Sequence, residues 1–305
     1  MAGRDTATLG TATAVDRRLR GGSWDWRSAL VEGALLTALL AVLAILVVLL
    51  SDIAVKAFPV FVERPVDFLT SPVSSRPARA GILQGILGSA VLVTIVAILA
   101  LPLGIACAVY LEEYARDSAL TRFIRTNIRN LAGVPSIVYG LLGLALFVSL
   151  LGIGGAIAGG LTLAVLVLPI VVITTAEALR AVPGSIREAA FGVGATRWEA
   201  VSQHVLPYAA PGILTGTILS LARAFGETAP LLMVGAIAGT FSSTNVGEML
   251  GGPYTALPTM VFDFAGKPQE EFRALTAATI VVLLVVILLV NATAIILRNR
   301  YDRKW

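Results

Sequence analysis

Six long apolar runs, separated by polar stretches, set the pattern of the chain. They are Ala29–Leu50, Ile82–Leu111, Gly133–Leu151, Ala156–Ala176, Val205–Val234 and Ala274–Leu297. A helix needs roughly 20 apolar residues to cross a hydrocarbon core about 30 Å thick, and each run meets or approaches that length. Apolar positions within the runs are continuous, not alternating, so helices are expected and strands are not. The pattern therefore predicts an all-α membrane protein with six transmembrane helices. Two runs carry breakers: Pro102 and Gly104 in the second, and Pro207, Pro211, Gly226 and Pro230 in the fifth. Kinks or breaks are expected there. A broken helix is costly in lipid unless it lines a cavity or faces protein, so these spans suggest a pathway more than an anchor.

Composition narrows the class. Of 305 residues, 57% are hydrophobic and 14% charged, with a mean hydropathy of +0.86. An ordinary soluble domain carries about 25% charged residues, so a soluble enzyme, a disordered tail and a disulfide-stapled module are all excluded. Cys107 is the sole cysteine and His204 the sole histidine, which leaves no internal disulfide and no Cys/His metal site. The net charge of +4 is spread over the connecting segments and is not gathered among aromatics, so no nucleic-acid partner is expected. Sixteen of the 23 Lys and Arg fall in the N-terminal tail, in 112–130, in 177–204 and after Leu297. That bias predicts both termini in the cytoplasm. The division that follows is a cytoplasmic tail over 1–28, expected to be disordered, and a first span and extracytoplasmic loop over 29–81. A core of five spans covers 82–297, and a short cytoplasmic tail covers 298–305. The first span is too long for a signal-peptide core and is expected to be retained. The loop at 51–81, with Pro59, Pro65, Pro72 and Pro77, is expected to be extended. The polar segment at 235–273 is expected to hold a short helix.

The cytoplasmic loop at 177–207 reads EALRAVPGSIREAAFGVGATRWEAVSQHVLP. Ser185 with Glu188, and Thr196 with Glu199, have the S/T-x-x-E spacing of capping boxes, so two short helices are expected. Gly192 and Gly194 would stop the first. His204 would sit as a cation at a helix end. Taken alone, the loop could be a simple amphipathic connector. The spacing of Glu188, Ala189, Ala190, Gly194, Leu206 and Pro207, however, resembles the EAA loop of ATP-binding-cassette importer permeases. The resemblance implies the type I (MetI-like) permease architecture. It also implies that this loop docks in a cleft of a separate ATPase, with Glu188 and Gly194 passing on its movement.

Two membrane stretches, GVPSIVYGLLGLALFV at 133–148 and LARAFGETAPLL at 221–232, are similar to phosphate-specific transport permeases of the PstA type. That resemblance implies a PstC-type permease partner, a PstB-type ATPase dimer carrying ATP and magnesium, a PstS-type binding protein and phosphate as cargo. It places the chain, without a cofactor of its own, in a bacterial inner membrane. No G-x-x-x-x-G-K-[ST] loop occurs in the sequence, in keeping with a partner that hydrolyses the ATP. Arg223 and Glu227 stand four apart in the fifth span. They can be a buried pair that fixes register, or a passage point where Arg223 meets an anion and Glu227 limits its hold. Arg180 ends the fourth span; it is either a helix-end cation, with Glu177 as a possible partner, or a receiver of anion leaving the pathway. Ser136 has no base within reach and is not read as a nucleophile. A permease for sulfate or molybdate, a gradient-driven secondary transporter and a non-transporting scaffold remain as alternatives.

Overall fold

The structure, a computed structural model, describes residues 26–236 and 243–301, and all regular structure among them is helical. The expected tails therefore lie outside the described residues apart from their inner ends. The chain forms two compact units that divide after Asp52. Helix α1 (Trp26–Glu63) begins in the first, where Leu35, Leu39, Val42 and Leu46 are all exposed. Such a surface suits lipid and not water.

The second unit begins at Ile53, on the last turns of α1. It continues with α2 (Pro65–Thr70), α3 (Leu83–Tyr114), α4 (Ala119–Ala132), α5 (Ser136–Leu150) and α6 (Gly155–Arg180). Then come α7 (Gly184–Gly192), α8 (Arg197–Gly226), α9 (Ala229–Met233), α10 (Val246–Gly251), α11 (Leu257–Ala265) and α12 (Glu271–Tyr301). The central helix is α6, which packs along α3 and α8 and buries Leu163, Val167, Val171 and Leu179. In lipid the apolar effect does not drive helices together, so close packing through small residues must. A Cβ on Gly160 would come within 2.6 Å of Ile95, one on Gly104 within 2.7 Å of Val171, and one on Gly216 within 2.3 Å of Thr174.

Four expectations change. The second span does not break at Pro102; α3 runs through it and only widens to i→i+5 hydrogen bonding over Tyr110–Tyr114. Pro102 lies on the exposed side of α3, with Ile98 and Leu103 beside it. Among the described residues five helices are long and apolar enough to cross a membrane alone; the third apolar run falls instead on α5, the second arm of a bent pair with α4 whose axes differ by 103°. Pro135 sits at the bend and caps α5. The 51–81 loop is not extended. It continues α1 to Glu63, adds α2 and a 3₁₀ turn at Pro77–Arg79, and packs Ala57, Val60 and Phe68 against Phe264 and Phe272. The 235–273 segment holds two helices instead of one, and Tyr254, Thr255 and Leu257 are fully buried. Ser89 on α3 accepts the Leu257 N–H at 2.9 Å, and Gly88 lies so close to the Thr255 carbonyl that no side chain fits between them. Burial pushes the Tyr254 phenol well above its ordinary pKa.

Candidate functional site

Local chemistry shapes the loop after α6. Pro183 caps α7 with no side-chain hydrogen bond, and the helix begins at Gly184. Ser185 thus falls inside the first turn, the expected Ser185–Glu188 box does not form, and Glu188 stands exposed. The other end behaves as expected. Gly194 takes a positive φ of 86°, where a Cβ would clash with the backbone. Its N–H meets the Phe191 carbonyl at 3.0 Å, and the Ala195 N–H meets that of Ala190 at 3.0 Å. This is a Schellman closure, and it gives the Ala190-to-Gly194 spacing its physical reason. The Thr196–Glu199 box does form: Glu199 N–H reaches Thr196 Oγ1 at 3.3 Å and Thr196 N–H reaches Glu199 Oε2 at 2.7 Å.

From that cap α8 runs without interruption through Leu206, Pro207 and Pro211 to Gly226. The turn over Ala200–Val205 widens to i→i+5, which makes room for the Pro207 ring against the preceding carbonyls. His204 is therefore exposed inside a helix and does not sit at its end. Glu188 and Ala189 are exposed, Ala190 is buried, and Leu206 is half-buried. Phe191, Val193 and Trp198 project from the same loop, Val193 with 86% and Trp198 with 65% of its surface exposed. The loop thus gathers exposed apolar side chains on one stretch of surface.

What holds this loop was not anticipated from sequence. Glu112 and Glu113 are neighbours on the widened last turn of α3, and successive helical residues point about 100° apart, so they serve different elements. Glu113, buried, takes the Arg187 guanidinium of α7 at 2.6 and 3.3 Å; Arg187 also donates to the Val182 and Leu179 carbonyls at 3.0 Å each. Glu112 takes Arg180 at 2.5 and 2.9 Å, so the end of α6 pairs with α3, while Glu177 makes no hydrogen bond to Arg180. Arg125 of α4 approaches Glu112 at 3.8 Å and donates to the Leu111 carbonyl. Arg197 lies over the Tyr114 ring at 5.5 Å. The one signal in the sequence is a YLEEY stretch closing an apolar run, where two carboxylates need partners.

The membrane motifs meet elsewhere. Helix α8 stops at Gly226, and Glu227 takes an extended conformation (φ −78°, ψ 121°) before α9. The pair still forms, with Arg223 Nε 3.4 Å from Glu227 Oε1, but through this turn and not along one helix face. The terminal nitrogens of Arg223 donate to nothing among the described residues. Gly140 of α5 lets α9 sit close, since a Cβ there would lie 2.7 Å from Pro230. Tyr139 beside it donates to the Leu131 carbonyl at 2.8 Å. Gly212 of α8 faces Ala178 and Gly216 faces Thr174. In that antiparallel register Arg223 comes level with about residue 167, near the middle of α6, roughly 20 Å from Arg180. Arg223, Glu227 and Arg180 thus do not form one cluster. Among the described residues no three of His, Cys, Asp or Glu converge as metal ligands would.

The binding-protein-dependent transport system inner membrane component family matches residues 100–304. A phosphate transport system permease protein PstA of Xylella fastidiosa is 38% identical over 77% of this chain and 81% of its own length. PstA of Pasteurella multocida is 36% identical over 71% and 75%, and PstA 1 of Mycobacterium tuberculosis 36% identical over 72% and 70%. Two solved structures share the fold. One is a bacterial ABC transporter involved in alginate import, with a TM-score of 0.65 and 14% identity, covering 91% of this chain and 99% of that one. The other is the inward-facing MetNI methionine ABC transporter, with a TM-score of 0.55 and 18% identity, covering 73% and 95%.

Proposed function

The chain belongs to the inner membrane components of binding-protein-dependent transport systems, and from that premise we propose that it is a permease subunit of an ATP-driven phosphate importer, forming half of the translocation pathway. The observation that carries this reading is the pairing of two features in one PstA-like chain. A rigidly capped loop presents apolar side chains for docking, and a broken span holds a half-engaged arginine near mid-membrane. In this reading both termini face the cytoplasm of a bacterial inner membrane. The loop from Glu188 through Gly194 to Leu206 and Pro207 docks on a PstB-type ATPase dimer, where ATP and magnesium act. A PstC-type permease supplies the other half of the pathway, and a PstS-type protein delivers phosphate.

The chemistry follows from donors. Arg223 offers terminal N–H groups to phosphate oxygens, and guanidinium suits such bidentate contact. Glu227 holds the same guanidinium by one nitrogen and keeps the anion from binding tightly, since a passage site must also release. Arg180 stands at the inner end with Glu112 on two of its nitrogens, so it meets departing anion only as that pair opens.

Low-concentration uptake of labelled phosphate in cells lacking the gene, then complemented with it, tests the reading. Loss and recovery of uptake is the expected result. Unchanged phosphate uptake together with lost sulfate or molybdate uptake would reassign the cargo.

A further inference from the structure

Helix α4 has a basic stripe and an apolar stripe that the transport reading leaves unused. Leu120, Ile124 and Leu131 recur at spacings of four and seven, with Phe123 beside them, and all are exposed. Arg122, Arg125 and Arg129 form a second stripe around the helix. Its axis stands at 103° to that of α5, so a helix that turns directly into a membrane crossing itself lies close to the membrane plane. An amphipathic helix in that attitude, apolar on one side and arginine-rich on the other, has the form of an interfacial helix.

Behind the basic stripe is a cavity of about 50 Å³ lined by Arg125, Arg129, Arg180, Glu112 and Glu177. The space exceeds what one water requires. Three cations face two carboxylates, which leaves one positive charge uncompensated. Arg180 is taken by Glu112. Arg129 makes no hydrogen bond or ion pair among the described residues, and the Arg125 Nε is buried with no acceptor. A buried donor without a partner is rare and costly, and here it sits beside the surplus charge.

We infer that this cavity seats a monoanionic phosphate group, with Arg129 and the Arg125 Nε as donors, and that the group is the headgroup of an anionic lipid brought there by α4 lying in the interface. The seat would complete the charge around Glu112, the carboxylate that ties α3 to α6. Inorganic phosphate is the other source of the same chemistry. The inference rests on the membrane reading of the fold and not on the cargo, so it stands or falls apart from the uptake experiment.

The test uses the full-length chain, purified with its co-purifying subunits. In vesicles of equal phosphatidylcholine and phosphatidylglycerol brominated along the acyl chains, Phe123→Trp should add emission that is at least half quenched, measured over the four native tryptophans. An unquenched signal would overturn the interfacial placement. Native mass spectrometry should then find one more phosphatidylglycerol retained by wild type than by Arg129→Gln, with Arg129→Lys restoring it. Retention that millimolar inorganic phosphate does not reduce identifies the headgroup; displacement by phosphate assigns the seat to the free anion. Equal retention in wild type and Arg129→Gln, or equal retention of phosphatidylcholine, would overturn the site.

Discussion

Two charged regions of this protein are built on opposite plans. At the end that holds the 177–207 loop, Arg187 spends its donors on Glu113 and two carbonyls, and Arg180 is bidentate on Glu112. At the break after α8, Arg223 makes one 3.4 Å contact with Glu227 and keeps its terminal nitrogens open. A saturated guanidinium fixes one element against another and transmits displacement. A half-satisfied one is held in place yet can still accept a visiting anion. The same residue type thus serves as a joint in one place and, in the function proposed above, as a binding group in the other.

The contrast is most directly broken at the joint. Glu113→Gln leaves Arg187 half-buried without its counter-charge and should cost about 3 kcal/mol, at the lower end for a broken buried pair because Arg187 keeps some contact with water. The melting temperature of the purified transporter should fall, and the double variant Glu113→Gln, Arg187→Gln should recover part of the loss. If the single variant melts like wild type, Glu113 is no joint. At the break the expected outcome is different in kind. Arg223→Gln should lower phosphate uptake at least tenfold, about 1.4 kcal/mol, with unchanged melting and abundance. Arg223→Lys should fall between, because it keeps the charge and loses the planar fork. A stability loss with normal uptake would make Arg223 a structural pair after all.

Smaller effects sharpen the picture of the loop itself. Gly194→Ala places a Cβ in the left-handed region and should cost about 1 kcal/mol, read as lower transport-coupled ATPase activity with the Arg223 region unaffected. Thr196→Ala removes an exposed cap and should cost about 0.5 kcal/mol, near the bottom of the capping range. Hydrogen exchange at Arg197–Glu199 would register it where bulk melting would not.

These regions were also unequally legible in the sequence. Contiguous signals read well: the apolar runs of α3, α6, α8 and α12, the Thr196–Glu199 box and the Gly194 stop all formed. Local rules failed where a neighbour outcompeted them. Pro183 started α7 two residues early and cancelled the Ser185 cap. The joint was beyond sequence reading because its partners are 68 and 74 residues apart and nothing local pairs Glu112 with Arg180 or Glu113 with Arg187. Arg223 and Glu227 were found for their cost in lipid, and the break at Gly226 and Pro230 was expected; that the pair would meet across that break was not.

The bend between α4 and α5 bears on how the protein reaches its membrane. Helix α5 runs from Ser136 to Leu150 and is about 22 Å long, short of a hydrocarbon core of about 30 Å. A segment of that length is a poor substrate for one-helix-at-a-time insertion. Its Gly143 is fitted against Thr162 of α6, so the next crossing has to be present before this one is secured. Helices α5 and α6 are therefore expected to enter the bilayer as one hairpin.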